Sequence, residues 1–139
     1  MIATLLCSTI TAASVYVEPP AFYNESRAEE EQQVVVVADD EGDNLYVNID
    51  HTDRVLAHST DTYTQKLYAN ETAYIYVTGD GDTDLDLYLY DSNGNLIDSD
   101  TDGTDTCLCE VTPRWTGTFK IKIKNLGNVY NRYRLRIVQ

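Results

Sequence analysis

The sequence predicts an all-β domain: an antiparallel β-sandwich of seven to eight strands, joined by jelly-roll or Greek-key connections. Three observations predict it. Apolar residues recur with a period of two in several short stretches, as in IYV (75–77) and LDLYLYD (85–91). Gly, Asp and Asn punctuate those stretches at intervals that suit tight turns. No segment carries the apolar stripe of an amphipathic helix. A sandwich buries one face of each such strand and leaves the other in water.

The chain has 139 residues, the size of one domain, which can bury a modest core without a metal or disulfide. Acids outnumber Lys plus Arg by 23 to 10, for a formal charge of −13. That charge attracts cations and disfavours nucleic acid. No apolar run is long enough for a membrane span. Neither a dinucleotide-binding glycine motif nor a phosphate-binding P-loop occurs. The eleven tyrosines against two phenylalanines suit half-exposed sheet faces, because Tyr joins an apolar ring to a polar tip.

Along the chain, residues 1–13 (MIATLLCSTITAA) form a truncated signal-like segment. Thr11 and Ala13 stand where small residues precede a cut at Ser14, but the basic start is missing. Residues 14–33 form an acidic, Pro-containing tether. Residues 34–139 hold the sandwich. VVVVA (34–38) is a strand. NLYVNI (44–49) is another, with Leu45, Val47 and Ile49 on one face. HSTD (58–61) is a loop and TYTQKLYA (62–69) a weaker strand. AYIYVTG (73–79) turns Ile75 and Val77 inward, and Tyr74 and Tyr76 outward. LDLYLYD turns Leu85, Leu87 and Leu89 inward, with Asp86, Tyr88 and Tyr90 outward. Asn93–Gly94 supplies a hairpin turn. NLID is short. CLCEV places Cys107 and Cys109 on one face, as two small buried side chains. GTFKIKIKN and YNRYRLRIV close the chain.

Charge is segregated. Residues 80–105 hold nine Asp and no Lys or Arg, whereas residues 118–139 hold Lys120, Lys122, Lys124, Arg132, Arg134 and Arg136 and no acid. If the last two strands pair through the NLGN turn, all six cations share one solvent face, a docking surface for an anionic partner. Asp80, Asp82, Asp84 and Asp86 recur every second residue, and Asp98, Asp100, Asp102 and Gly103 begin a calcium-loop pattern. Both patterns fail at later positions of a helix–loop–helix site, so a candidate Ca²⁺ site here is a β-loop site. No serine or cysteine nucleophile has a base beside it in sequence, and no carboxylate pair is placed across a cleft. The sequence therefore predicts a protein that is not an enzyme.

DTYTQKLYANETAYIYVTGDGDTDLDLYLYDSNGNLIDSD, followed by WTGTFKIKIKN and YRLRIV, resembles the bacterial pre-peptidase C-terminal domain, a relative of the collagen-binding domains of clostridial collagenases. The resemblance covers residues 60–139 and centres on Asp84, Asp86, Leu87, Tyr88, Leu89, Tyr90 and Asp91. It departs at Thr118, at the CLCEV strand and over residues 34–58. The resemblance implies a non-catalytic module, secreted or at the cell surface, that recognises a protein or matrix ligand. It implies Ca²⁺ held by Asp84, Asp86 and Asp91, with Asp80 and Asp82 from the adjoining turn and a loose correspondence at Asn24 and Glu29–Glu31. It also implies a ligand face made by Tyr74, Tyr76, Tyr88 and Tyr90. The alternative is a metal-independent interaction protein (an inhibitor, pro-segment or assembly subunit) that uses the basic C-terminal hairpin face. Neither ligand nor oligomeric state is legible in the sequence.

Overall fold

The computed structural model describes the backbone of residues 33–38 and 45–139 and the side chains of residues 49–139. The signal-like segment 1–13, and the tether up to residue 32 with Asn24 and Glu29–Glu31, lie outside the described residues. The described chain is all β, with nine strands: β1 (Gln33–Ala38), β2 (Leu45–Val55), β3 (Thr60–Leu67), β4 (Ala73–Thr78), β5 (Leu85–Tyr90), β6 (Leu96–Asp100), β7 (Thr106–Val111), β8 (Gly117–Asn125) and β9 (Asn131–Val138). The number exceeds seven to eight because the NLID segment runs into a strand of its own, Leu96–Asp100, paired with Leu87–Tyr90 of β5 across one bulge.

The strands form two antiparallel sheets. One has five strands in the order β1-β2-β9-β4-β7, the other four in the order β3-β8-β5-β6. Only the β1–β2 and β5–β6 connections join hydrogen-bonded neighbours; every other connection crosses between the sheets. Leu85, Leu87 and Leu89 of β5 and Ile121 and Ile123 of β8 are fully buried against Ile75, Val77, Leu135 and Ile137 of the facing sheet. Each such side chain contributes about 1.5–3 kcal/mol by leaving water.

The basic C-terminal hairpin does not form. β8 pairs with β3 and β5, whereas β9 pairs with β2 and β4, so the two strands belong to different sheets. Both strands bury their apolar phase in the one core, so their cations point in opposite directions. Lys120, Lys122 and Lys124 line the outer face of the four-stranded sheet; Arg132, Arg134 and Arg136 line that of the five-stranded sheet. The tyrosines divide in the same way. Tyr74 and Tyr76 stand on the five-stranded face and Tyr88 and Tyr90 on the four-stranded one, as two stacked pairs with ring centroids 6.3 and 6.5 Å apart.

Candidate functional site

The acidic turn before β5 is fastened to the β8–β9 connection. Leu126 N–H donates to the Asp84 carbonyl at 3.0 Å, and the Asn131 amide donates to the Thr83 carbonyl at 3.2 Å and hydroxyl at 3.0 Å. Gly127 makes this docking sterically feasible, since a Cβ there would lie 2.2 Å from Thr83 Cγ2. The Asp80 carboxylate accepts the Arg132 backbone N–H at 3.2 Å, and Asp82 is exposed. Asp91, at the far end of β5, holds its own turn. One carboxylate oxygen accepts the N–H groups of Asn93 and Asn95 at 2.8 and 2.9 Å, and the other accepts the Asn95 amide at 2.8 Å. Those bonds, the Asn95 side chain first, hold the Asp91 carboxyl below its ordinary range. Gly94 takes the left-handed φ of 84° that the turn requires.

The nominated ligands therefore do not gather at one point. Asp91 sits at the opposite end of β5 from Asp84, and Asp80 is committed to backbone. Among the described residues no group of three or more His, Cys, Asp or Glu side chains is arranged to hold a metal ion. Asp84 is the exception in its chemistry. Its Oδ1 is buried without a hydrogen-bond partner. Burial first, then the charges of Asp86 and Asp102, push its carboxyl above the ordinary range. Asp86 is itself buried and accepts the Tyr88 hydroxyl at 2.9 Å. The fit to Ca²⁺ is thus confined to one orphaned oxygen with two carboxylates acting on it.

The outer face of the five-stranded sheet is aromatic and cationic. Tyr76 stands across from Arg136 on β9 and from Leu108 on β7, and Tyr74 across from Val138 and Glu110. Tyr76 is 38% exposed and Leu108 44%. Arg134 makes a two-bond ion pair with Asp50 of β2. On the four-stranded face, Lys122 places its Nζ 5.1 Å from the centre of the Tyr90 ring.

Sequence reasoning missed a polar cluster between the sheets. Tyr133 of β9, 1% exposed, donates its hydroxyl to Asp61 at 2.9 Å and shares a hydrogen bond with the Tyr63 hydroxyl of β3. Asp53 Oδ2 lies 3.3 Å from Tyr63, and His51 packs edge-on against the Tyr63 ring. The available signal was Tyr133 on the inward phase of its strand, since a buried phenol requires a partner. Cys107 and Cys109 are buried free thiols, and Cys107 donates to the Leu85 carbonyl at 3.1 Å. Burial raises each thiol to about 12, with Asp100 the next contributor for Cys107 and Asp98 for Cys109. His58 bonds Asn128 at 2.8 Å and serves to tie two loops together.

No family model matches the chain, and no curated protein matches its sequence. Solved structures do resemble it. Over 66% of this chain and 86% of the other, it is similar to PliG of Aeromonas hydrophila, a periplasmic inhibitor of g-type lysozyme, at 13% identity and a TM-score of 0.50. Over 63% of this chain and 88% of the other, it is similar to the pre-peptidase C-terminal domain of a Bacillus anthracis collagenase, at 15% identity and a TM-score of 0.48. A carbohydrate-binding module of Cellvibrio mixtus lichenase 5A aligns over 78% of this chain and 86% of its own, at 15% identity and a TM-score of 0.37. At these identities the likeness is one of fold, a β-sandwich.

Proposed function

We propose that the chain is a non-catalytic binding module, secreted or at the cell surface, that recognises a protein or matrix ligand through the outer face of its five-stranded sheet. The carrying observation is the stacked Tyr74–Tyr76 pair with Arg136 and Leu108 beside it on an exposed, strand-supported surface. Tyr and Arg are the side chains that dominate protein interfaces, and a sheet holds them with little entropy left to lose on binding. A fold shared with an inhibitor of g-type lysozyme is compatible with this reading. The test is surface plasmon resonance with collagen fibrils and with g-type lysozyme as probes. Binding to either should fall at least about tenfold in Tyr76→Ala, the loss of one hot-spot side chain. Absence of binding to both removes these ligands, and binding indifferent to Tyr76 moves the site off this face.

Ca²⁺ enters the proposal at Asp84. The ion would bind the Asp84 carboxylate, and its effect would be to stabilise the folded state by linkage. The support is the orphaned Asp84 oxygen and the charges of Asp86 and Asp102 that act on that carboxyl. The test is a thermal melt in millimolar Ca²⁺ against chelator; identical melts remove the metal.

A further inference from the structure

We propose that the outer face of the four-stranded sheet is a docking surface for an acidic polysaccharide chain. This face is the opposite side of the sandwich from the Tyr76 surface and is independent of it. Three rungs cross it in register: Thr60–Lys124–Asp86, Thr62–Lys122–Tyr88 and Thr64–Lys120–Tyr90, from β3, β8 and β5 in that order. Lys66 and Thr118 form a fourth rung between β3 and β8. The result is a column of threonine hydroxyls, a column of ammonium groups and a column ending in two tyrosines.

Among the described residues no carboxylate forms an ion pair with Lys120, Lys122 or Lys124, although Asp86 stands across from Lys124. The acid on the same face, Asp86, is 5% exposed and bonded to Tyr88. Arg134 on the opposite face, by contrast, has its Asp50. Like charges in adjacent positions of one strand face stand about 6.6 Å apart and repel, so the column costs stability that an external anion would relieve.

The chemistry selects among anions. The net charge of −13 and the aspartates at both ends of β5 oppose any polyanion at long range, a dense phosphate polymer more than a sugar chain with spaced charges. A second copy docked by this same face presents the same lysines and is repelled. An anionic bilayer needs apolar side chains to enter it, and this face offers Leu96, 52% exposed across from Tyr90, while Tyr88 and Tyr90 are half-buried; an anionic vesicle that bound as tightly as the better glycan would overturn the proposal. A sugar chain with spaced carboxylates or sulfates fits each column. Its anions meet the ammonium groups, its hydroxyls meet the threonine and tyrosine hydroxyls, and the C–H face of a ring packs on Tyr88 or Tyr90.

Affinity gel electrophoresis and calorimetry of the full chain test this, with polygalacturonate (carboxylate) and heparin (sulfate) as probes. Uncharged dextran, poly-L-glutamate and a short DNA duplex serve as comparators. One of the two acidic glycans should bind, with affinity falling as salt rises. The triple variant Lys120→Gln/Lys122→Gln/Lys124→Gln should lose at least about tenfold in affinity and most of the salt dependence, as expected when the neutralising cations are removed. Tyr88→Ala should lose several-fold, and Arg132→Gln on the other face nothing. The triple variant should melt at or above the parent temperature; if it fails to fold, Lys122→Gln alone should weaken binding about two- to threefold. The proposal is overturned if neither glycan binds, if poly-L-glutamate or DNA binds as tightly as the better glycan, or if the lysine variants bind like the parent.

Discussion

The Asp100 carboxylate accepts the backbone N–H of Leu108 at 2.9 Å, from one sheet of the sandwich to the other. Asp98 does the same for Glu110 at 2.9 Å. β7 is the last strand of its sheet and has open N–H groups on its free side. An open edge is a template for pairing with another chain. Two aspartates of β6, set two residues apart, match the spacing of alternate N–H groups along β7 and close that edge. The D-x-D-x-D-G stretch therefore supplies edge caps where its composition suggested a metal loop. Asp100→Ala should cost about 1–3 kcal/mol, the range for a lost hydrogen bond to a charged group. The Asp98→Ala/Asp100→Ala double variant should cost more and should self-associate. Urea melts and light scattering check both; a double variant as stable and as monomeric as its parent would remove the capping role.

Tyr133→Phe should destabilise by about 1–3 kcal/mol, because the Asp61 carboxylate and the Tyr63 hydroxyl both lose a buried partner. Burial is the largest cause that drives the Tyr63 and Tyr133 hydroxyls far above the ordinary phenol range. Both should therefore stay neutral in an ultraviolet titration until the protein unfolds in base. Smooth ionisation of every tyrosine in the folded protein would contradict the buried pair.

This cluster also shows where the sequence is legible. Leu85, Leu87 and Leu89 could be placed in the core from alternation alone, because nothing polar interrupts their phase. β2 runs on to Val55, but its inward positions are Ile49, His51, Asp53 and Val55. Polar residues at two of four core positions break the pattern, and their justification, Tyr63 on the facing sheet, is a contact between sheets that no local pattern reveals. The same limit explains the hairpin. A period of two says which face of β8 and β9 is buried, but two strands satisfy it equally side by side in one sheet or face to face across a core. Sequential strands usually pair; here the Leu126–Tyr130 connection is bound to Asp84 through Leu126 and to His58 of the β2–β3 loop through Gly127, and carries the chain across.

Cys107 and Cys109 should be inert in the native protein. Burial and the neighbouring aspartates raise both thiols to about 12, which leaves little thiolate near neutral pH. In a Cys7→Ser background, which removes the remaining thiol, labelling by iodoacetamide should proceed only as fast as the chain unfolds. In denaturant both cysteines should react at once. Fast native labelling at either position would show that β7 opens far more readily than its capped edge implies.

Asp84 and Asp91 bracket β5 and should respond to acid with opposite sign. Asp91 has its folded pKa below the ordinary 3.8, so its contribution is present above that value and is lost as pH falls through the folded pKa. Asp84 has its folded pKa above 3.8, so the folded state binds the extra proton. Stability from this group declines as pH rises from 3.8 through the folded pKa, and the full cost is present at neutral pH. Asp84→Asn removes the charge and keeps the shape. At neutral pH without divalent ions it should melt above the parent, and the difference should shrink in acid as the parent carboxyl protonates. If Ca²⁺ binds there, millimolar Ca²⁺ should raise the parent melt but leave Asp84→Asn where it was, since the orphaned oxygen is the one that would take the ion. A variant less stable than the parent at neutral pH in chelator would show that the Asp84 charge is already compensated, and would remove the argument for a cation at this end of the strand.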